Sequence, residues 1–256
     1  MLNRVLQFFL GDRQRGPIAP NEQAFEHLLT RFPALQGLSS EQRRALYQGS
    51  AVLLNEKTFQ GADGFEPEME DCLAVALLAT LPILVRGPHW YSEFHTFILY
   101  PDTFVAEIEE IDDQGLVHSG RDLRSGEAWL RGPVVLAMND VWASGQGTGF
   151  NVVIHELAHQ IDHRNGEANG FPPLVDGMDR SAWTAVFTAG YEKLLAELDQ
   201  GLEPSLDPYA AEAPAEYFAV ASEFFFDAPE QLISHSPEVY NQLGLLYGYA
   251  TRAHDL

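Results

Sequence analysis

The spacing of apolar positions changes twice along this chain of 256 residues. Residues 21–55 read as helical, and Ser39 with Gln42 makes a capping box for a helix through Arg43, Leu46 and Tyr47. Residues 59–65 (FQGADGF) read as a glycine-rich loop, and residues 66–81 as a long apolar helix. The middle of the chain differs. FILYP (97–101), FVAEIEEI (104–111), GLVHSG (115–120) and GPVVLAMND (132–140) are short runs rich in β-branched and aromatic residues. Pro101, Asp102, Asp112, Asp113 and Gly115 punctuate them, so the pattern predicts a small, mostly antiparallel sheet.

From about Thr148 the helical period returns. Helices are predicted over 151–164 and 179–198. Another opens at Pro214, because proline suits the first turn of a helix, and runs through 217–226; one or two more follow over 230–247. The glycine- and proline-rich stretches 165–178 and 199–213 are candidate walls or lids of a site. No repeat or low-complexity tract interrupts the chain. The length suits one large domain or two small ones, and the expectation is an α+β fold, mainly helical, in a single domain over 1–256, with residues 1–20 a loosely attached N-terminal segment.

Composition narrows the function classes. Hydrophobic residues make up 46% of the chain, enough for a substantial core, so disorder is not the default reading. The longest apolar run, 72–85, is broken by Thr80 and Pro82 and is too short to span a bilayer. The apolar stretch near the N-terminus is too short for a secretory leader, and no small-residue cleavage site follows it. A net charge of −22 argues against nucleic acid and anionic membranes as partners, since both require a basic face. One cysteine, Cys72, fits a reducing cytoplasm, and its apolar setting marks it as a packing residue.

The chemistry concentrates in NVVIHELAHQID. His155 and His159 stand four apart, so a helix presents both imidazoles on one face, where they can share a zinc ion. Glu156 then stands beside the metal rather than on it, placed to take a proton from zinc-activated water. Val152, Val153, Ile154, Leu157, Ala158 and Ile161 are apolar, so the helix is buried, and polar groups on a buried helix are costly unless paired or metal-bound. A catalytic zinc needs a third protein ligand. Glu216 is the leading candidate, in the first turn after Pro214, with Glu223, Glu212 and Asp162 as alternatives. Glu223 could instead support the site from behind, and Asp162 could be a helix-end group or an imidazole partner. His163 is turned away from the metal by its helical position. Tyr209 is a candidate donor to a developing oxyanion. The strand at 133–138 is a candidate edge for pairing with an extended peptide.

The segments 149–162, 125–141 and 209–232, with weaker similarity at 28–46 and around LPIL and FILYPDTFV, resemble the Mlc titration factor A family of zinc metallopeptidases. The resemblance covers nearly the whole chain. It implies a zincin-like α+β domain with a gluzincin-like site, similar to that of the anthrax lethal factor catalytic domain. It carries one Zn²⁺ per chain onto His155, His159 and Glu216, the base onto Glu156, and a transition-state role onto Tyr209. The implied activity is peptide hydrolysis of aminopeptidase type on a peptide or protein substrate. The implied partner is a transcriptional repressor of sugar uptake. The alternative is a regulatory protein that sequesters a transcription factor, with weak or latent peptidase activity. This chain departs from the family in its acidity, with Lys57 and Lys193 its only lysines, and in Gln160 where a basic residue is frequent.

Overall fold

The computed structural model describes residues 18–102, 104–111, 117–124, 126–128 and 132–249. It is mainly helical, with a small mixed sheet and a separate hairpin. The expectations for the first sixteen residues lie outside the described residues.

Two helices open the chain, α1 (Glu22–Arg31) and α2 (Ser40–Glu56). The capping box forms: Ser39 Oγ accepts from Gln42 N at 3.2 Å, and Gln42 Oε1 accepts from Ser39 N at 2.8 Å. Helix α3 (Met69–Thr80) is buried from Leu73 to its end and packs against α2. The later helices are α4 (Met138–Ala143), α5 (Val152–Asp162), α6 (Arg180–Asp199), α7 (Pro214–Asp227), α8 (Pro229–His235) and α9 (Pro237–Tyr247). Proline occupies the first position of α7, α8 and α9, where its missing N–H removes nothing from the helix. No helix among the described residues is long and apolar enough to cross a membrane.

The sheet corrects two expectations. Strands β1 (Thr58–Gly61), β2 (Thr96–Tyr100), β5 (Gly126–Ala128) and β6 (Val134–Ala137) form one sheet in the order β1-β2-β6-β5. The pairings β1–β2 and β2–β6 are parallel, and only β5–β6 is antiparallel, so the sheet is not mostly antiparallel. The reason is the connection. A long segment containing α3 separates β1 from β2, and a helix-bearing crossover returns the chain in its original direction. The antiparallel signal belongs instead to β3 (Phe104–Ile111) and β4 (Val117–Arg124), which pair with each other outside the sheet. The predicted loop at 59–65 is in part β1. Its turn comes after the strand, where Phe65 N donates to Ala62 O at 3.0 Å.

All four residues of β6 are buried, with Phe97 and Leu99 of β2 beside them. On this floor lies α5. Val152, Val153, Ile154, Leu157, Ala158 and Ile161 are each at most 4% exposed, so the helix bearing His155 and His159 is a core element. It packs chiefly against α7, itself buried from Tyr217 to Asp227.

Candidate metal centre

Helix α5 starts where Asn151 caps it, its Oδ1 accepting from Ile154 N at 3.2 Å. One turn on, His155 and His159 project from one face, their Nε2 atoms 3.2 Å apart. Glu216, in the first turn of α7, completes a triangle. Its Oε2 lies 3.1 Å from His155 Nε2 and 3.3 Å from His159 Nε2.

The donor set fits a zinc ion. Ligand bonds of about 2.0–2.1 Å in tetrahedral geometry put the ligand atoms about 3.3 Å apart, which matches the three edges of this triangle. His155 Nδ1 stands 2.7 Å from Glu223 Oε1, so the ring hydrogen belongs on Nδ1 and the Nε2 lone pair faces the triangle. Electron-rich atoms at this separation need a cation between them, or failing that a proton. Burial lowers the His155 pKa, but Glu223, Glu216 and Glu156 outweigh it and raise it well above the ordinary range. Burial likewise opposes ionisation of Glu216, yet the two histidines hold its pKa below the usual carboxylate range. Among the described residues this is the one grouping of metal-ligating side chains. The side chains of His155 and His159 keep 13% exposure and that of Glu216 20%, which leaves an open side for a substrate.

Glu156 is 5% exposed beside this group. Burial pushes its pKa up to about 7 against the pull of His155 and His159, within the range where a general base is effective. Tyr209 sits in a single turn, Pro208–Ala211, with its ring centroid 5.9 Å from that of His155 and 46% of the residue exposed. The turn is fixed locally: Asp207 Oδ1 accepts from Tyr209 N at 2.9 Å, and Tyr191 Oη donates to Ala211 O at 2.9 Å.

The other carboxylates that the sequence offered separate by position. Glu212 is exposed after the Tyr209 turn. Asp162 is a helix-end group, with Oδ2 accepting from Asn169 N and Gly170 N at 2.7 and 2.6 Å. Glu223 stands behind His155, and its Oε2 accepts from Asn151 N at 2.5 Å, so one carboxylate orients the imidazole and holds the helix start. His163 faces away, its Nδ1 3.3 Å from Gly166 O. The strand expectation is corrected: β6 is paired on both sides, by β2 and β5, and has no free edge for a peptide.

Sequence reasoning passed over Asp227. Its carboxylate accepts from Gly147 N at 2.9 Å and Gly149 N at 2.7 Å, tying down the loop that leads into α5. Gly149 has φ +87°, and a side chain there would run into the Phe224 ring. The signal was present in the spacing: positions 216, 223 and 227 fall on one face of a helix, and that face meets α5.

Comparison with known proteins places the chain in a family. Residues 12–248 match the model of the glucose-regulated metallo-peptidase M90 family. The chain is 39% identical over 219 residues to Mlc titration factor A of Cronobacter sakazakii, covering 85% of this chain and 83% of that protein. It is 40% identical over 221 residues to the protein of the same name from Yersinia enterocolitica, with coverages of 84% and 82%. With that from Escherichia fergusonii it shares 38% over 219 residues, with coverages of 85% and 83%. A match over nearly the whole chain, together with relatives this similar, means that the chain belongs to the glucose-regulated metallo-peptidase M90 family.

Proposed function

We propose that this protein is a zinc-dependent peptidase of aminopeptidase type, a single domain over 1–256, working in the cytoplasm. His155, His159 and Glu216 would hold the metal. The carrying observation is the triangle of ligand atoms, with edges of 3.1, 3.2 and 3.3 Å. When bound, zinc supplies Lewis acidity that polarises the scissile carbonyl and brings water within reach of deprotonation near neutral pH.

The chain's own residues do the rest. Glu156 takes the proton of the attacking water and passes it to the leaving amine. Tyr209 swings its phenol toward the developing oxyanion from the exposed side of the site. Glu223 keeps the His155 ring in one tautomer and orientation. Among the described residues β5 pairs on one side only and packs on α5, so its outer edge, rather than β6, is offered to the backbone of an extended substrate.

Metal analysis of wild-type and Glu216→Ala protein, with a panel of short peptides cleaved alongside, tests the reading. About one zinc per wild-type chain, lost in the variant together with activity, is expected. Chelation should abolish cleavage and added zinc restore it. Zinc retained in Glu216→Ala would move the third ligand elsewhere and sink the assignment.

The relatives' name, Mlc titration factor A, supports a second role in binding Mlc; the family resemblance implies that such a partner is a transcriptional repressor of sugar uptake. In its strongest form this role is the main one, and hydrolysis is weak or latent. Glu156→Gln separates the two. Repressor binding that survives while hydrolysis vanishes would make the roles independent, and loss of both would make binding depend on the active site.

A further inference from the structure

We propose that Asp162 and Gly170 form a brace that sets the position of Glu216, acting through the backbone at Pro214; this rests on the reading of Glu216 as the third ligand. Asp162 ends the helix that carries both histidines, and it is fully buried. Its place is unfavourable on two counts. A carboxylate at a helix C-terminus is opposed by the helix dipole, and among the described residues its buried Oδ1 has no hydrogen-bond partner. What the residue gains comes through Oδ2, in the two short bonds from Asn169 N and Gly170 N.

Gly170 is held at every backbone group. Its N–H goes to Asp162, and its carbonyl accepts from Trp183 Nε1 at 3.1 Å, in the first turn of α6. Its φ is +76°, and its Cα lies hard against the start of α7. A Cβ at this position would stand 2.5 Å from Pro214 O and 2.9 Å from Pro214 C. Glu216 follows Pro214 by two residues within the same helical turn, so a displaced Pro214 carries Glu216 with it. A metal ligand functions only within about 0.5 Å of its proper place.

The brace complements the opposite end of α5. There Glu223 and Asp227 of α7 reach Asn151, Gly147 and Gly149 directly. One end of α7 is thus tied through its own carboxylates, and the end bearing Glu216 is tied through a loop that starts from the zinc-motif helix. Two attachments far apart along α7 define its angle to α5, and one would not.

The test measures zinc affinity by chelator competition, the visible spectrum of the cobalt-substituted protein, and the Tm of the metal-free protein. Gly170→Ala and Asp162→Asn should each weaken zinc binding about 10–100-fold and alter the cobalt spectrum. Gly177→Ala is the control. It lies in the same loop at φ +91° with nothing within 4 Å of a new Cβ, so it adds backbone strain without a collision. It should lower Tm and leave zinc affinity at the wild-type value. Trp183→Phe keeps an aromatic ring but removes the bond to Gly170 together with part of a buried indole that packs on Phe171, Phe187 and Phe218, so it is read against Trp183→Leu, which loses the same bond and more of the packing. It decides the matter if the stronger variants do not fold: a similar few-fold loss of zinc affinity in both, whatever their Tm, supports the brace, and wild-type affinity in both overturns it. Glu216→Ala is measured in parallel. Wild-type affinity in that variant overturns the ligand assignment and the brace with it. Zinc lost in Glu216→Ala but bound normally by both Gly170→Ala and Asp162→Asn overturns the brace alone.

Discussion

Of the histidines that pack against α7, His155 and His235 differ in their company. His155 is set among Glu216, Glu223 and Glu156, and the carboxylates raise its pKa in spite of burial. His235, at the end of α8, lies on another face of the same helix, its Nε2 3.0 Å from Tyr217 Oη and 3.2 Å from Gly190 O. Its Nδ1 is 2.7 Å from Ser205 Oγ, which in turn is 2.8 Å from Glu197 Oε2. Burial and the neighbouring Lys193 lower the His235 pKa against the pull of Glu197. A buried histidine is therefore not in itself a mark of chemistry. One is surrounded by excess negative charge, which calls for a cation. The other is satisfied by hydroxyls and a carbonyl, and serves as a pin between α6, α8 and the loop before Tyr209.

The comparison is broken or sharpened by experiment, and the largest effect belongs to the charged side. Glu216→Ala should remove zinc and lower peptide cleavage by about 10³-fold or more, because several kcal/mol of transition-state stabilisation go with the metal. Glu156→Gln should retain zinc and lower kcat by about 10²–10⁴-fold, read by metal content beside steady-state kinetics. Glu223→Gln should weaken zinc binding about 10–100-fold while leaving the ligands themselves in place. On the pin side, Ser205→Ala should cost about 0.5–1.5 kcal/mol in denaturant unfolding and leave zinc affinity unchanged. If zinc affinity falls with it, the two histidine sites are not independent.

The smallest effect is a pH dependence. The folded-state pKa of His235 lies below its ordinary value of 6.5, so the unfolded chain takes up this proton more readily than the folded one. Its contribution to stability is then present above about pH 6.5 and is lost as pH falls from there toward the folded-state pKa. Replacing His235 by Gln should flatten that part of the stability profile in chemical denaturation. A profile unchanged by the substitution would count against a neutral, buried His235.

Legibility followed the range of the interactions involved. The capping box at Ser39 and Gln42, the start of α7 at Pro214 and the helix bearing His155 and His159 were all readable, because each depends on residues within about a turn of one another. The sheet was misread where strand direction depended on what lay between strands. The antiparallel pair β3–β4 lies between β2 and β6 in sequence, and no local signal says that β2 pairs with β6 across it. Glu223 was named as a support from behind, and the structure puts it there, against His155 Nδ1. Asp227 and Gly170 escaped notice because their partners lie 78 and 44 positions away in sequence, at Gly149 and Pro214.

By itself, then, the sequence determined that two imidazoles and a carboxylate share a buried helix, because the 3.6-residue period makes their juxtaposition a local matter. It also determined that the metal would need a partner from elsewhere. The residue pattern made Glu216 the leading candidate and left three others open, the resemblance pointed to Glu216, and the tertiary structure puts that carboxylate beside the two histidines. Glu216, Glu223, Glu212 and Asp162 are chemically alike, and what separates them is how α7 lies across α5. That angle is settled by packing and by bonds at both ends of the helix pair, between residues the chain keeps far apart until it folds.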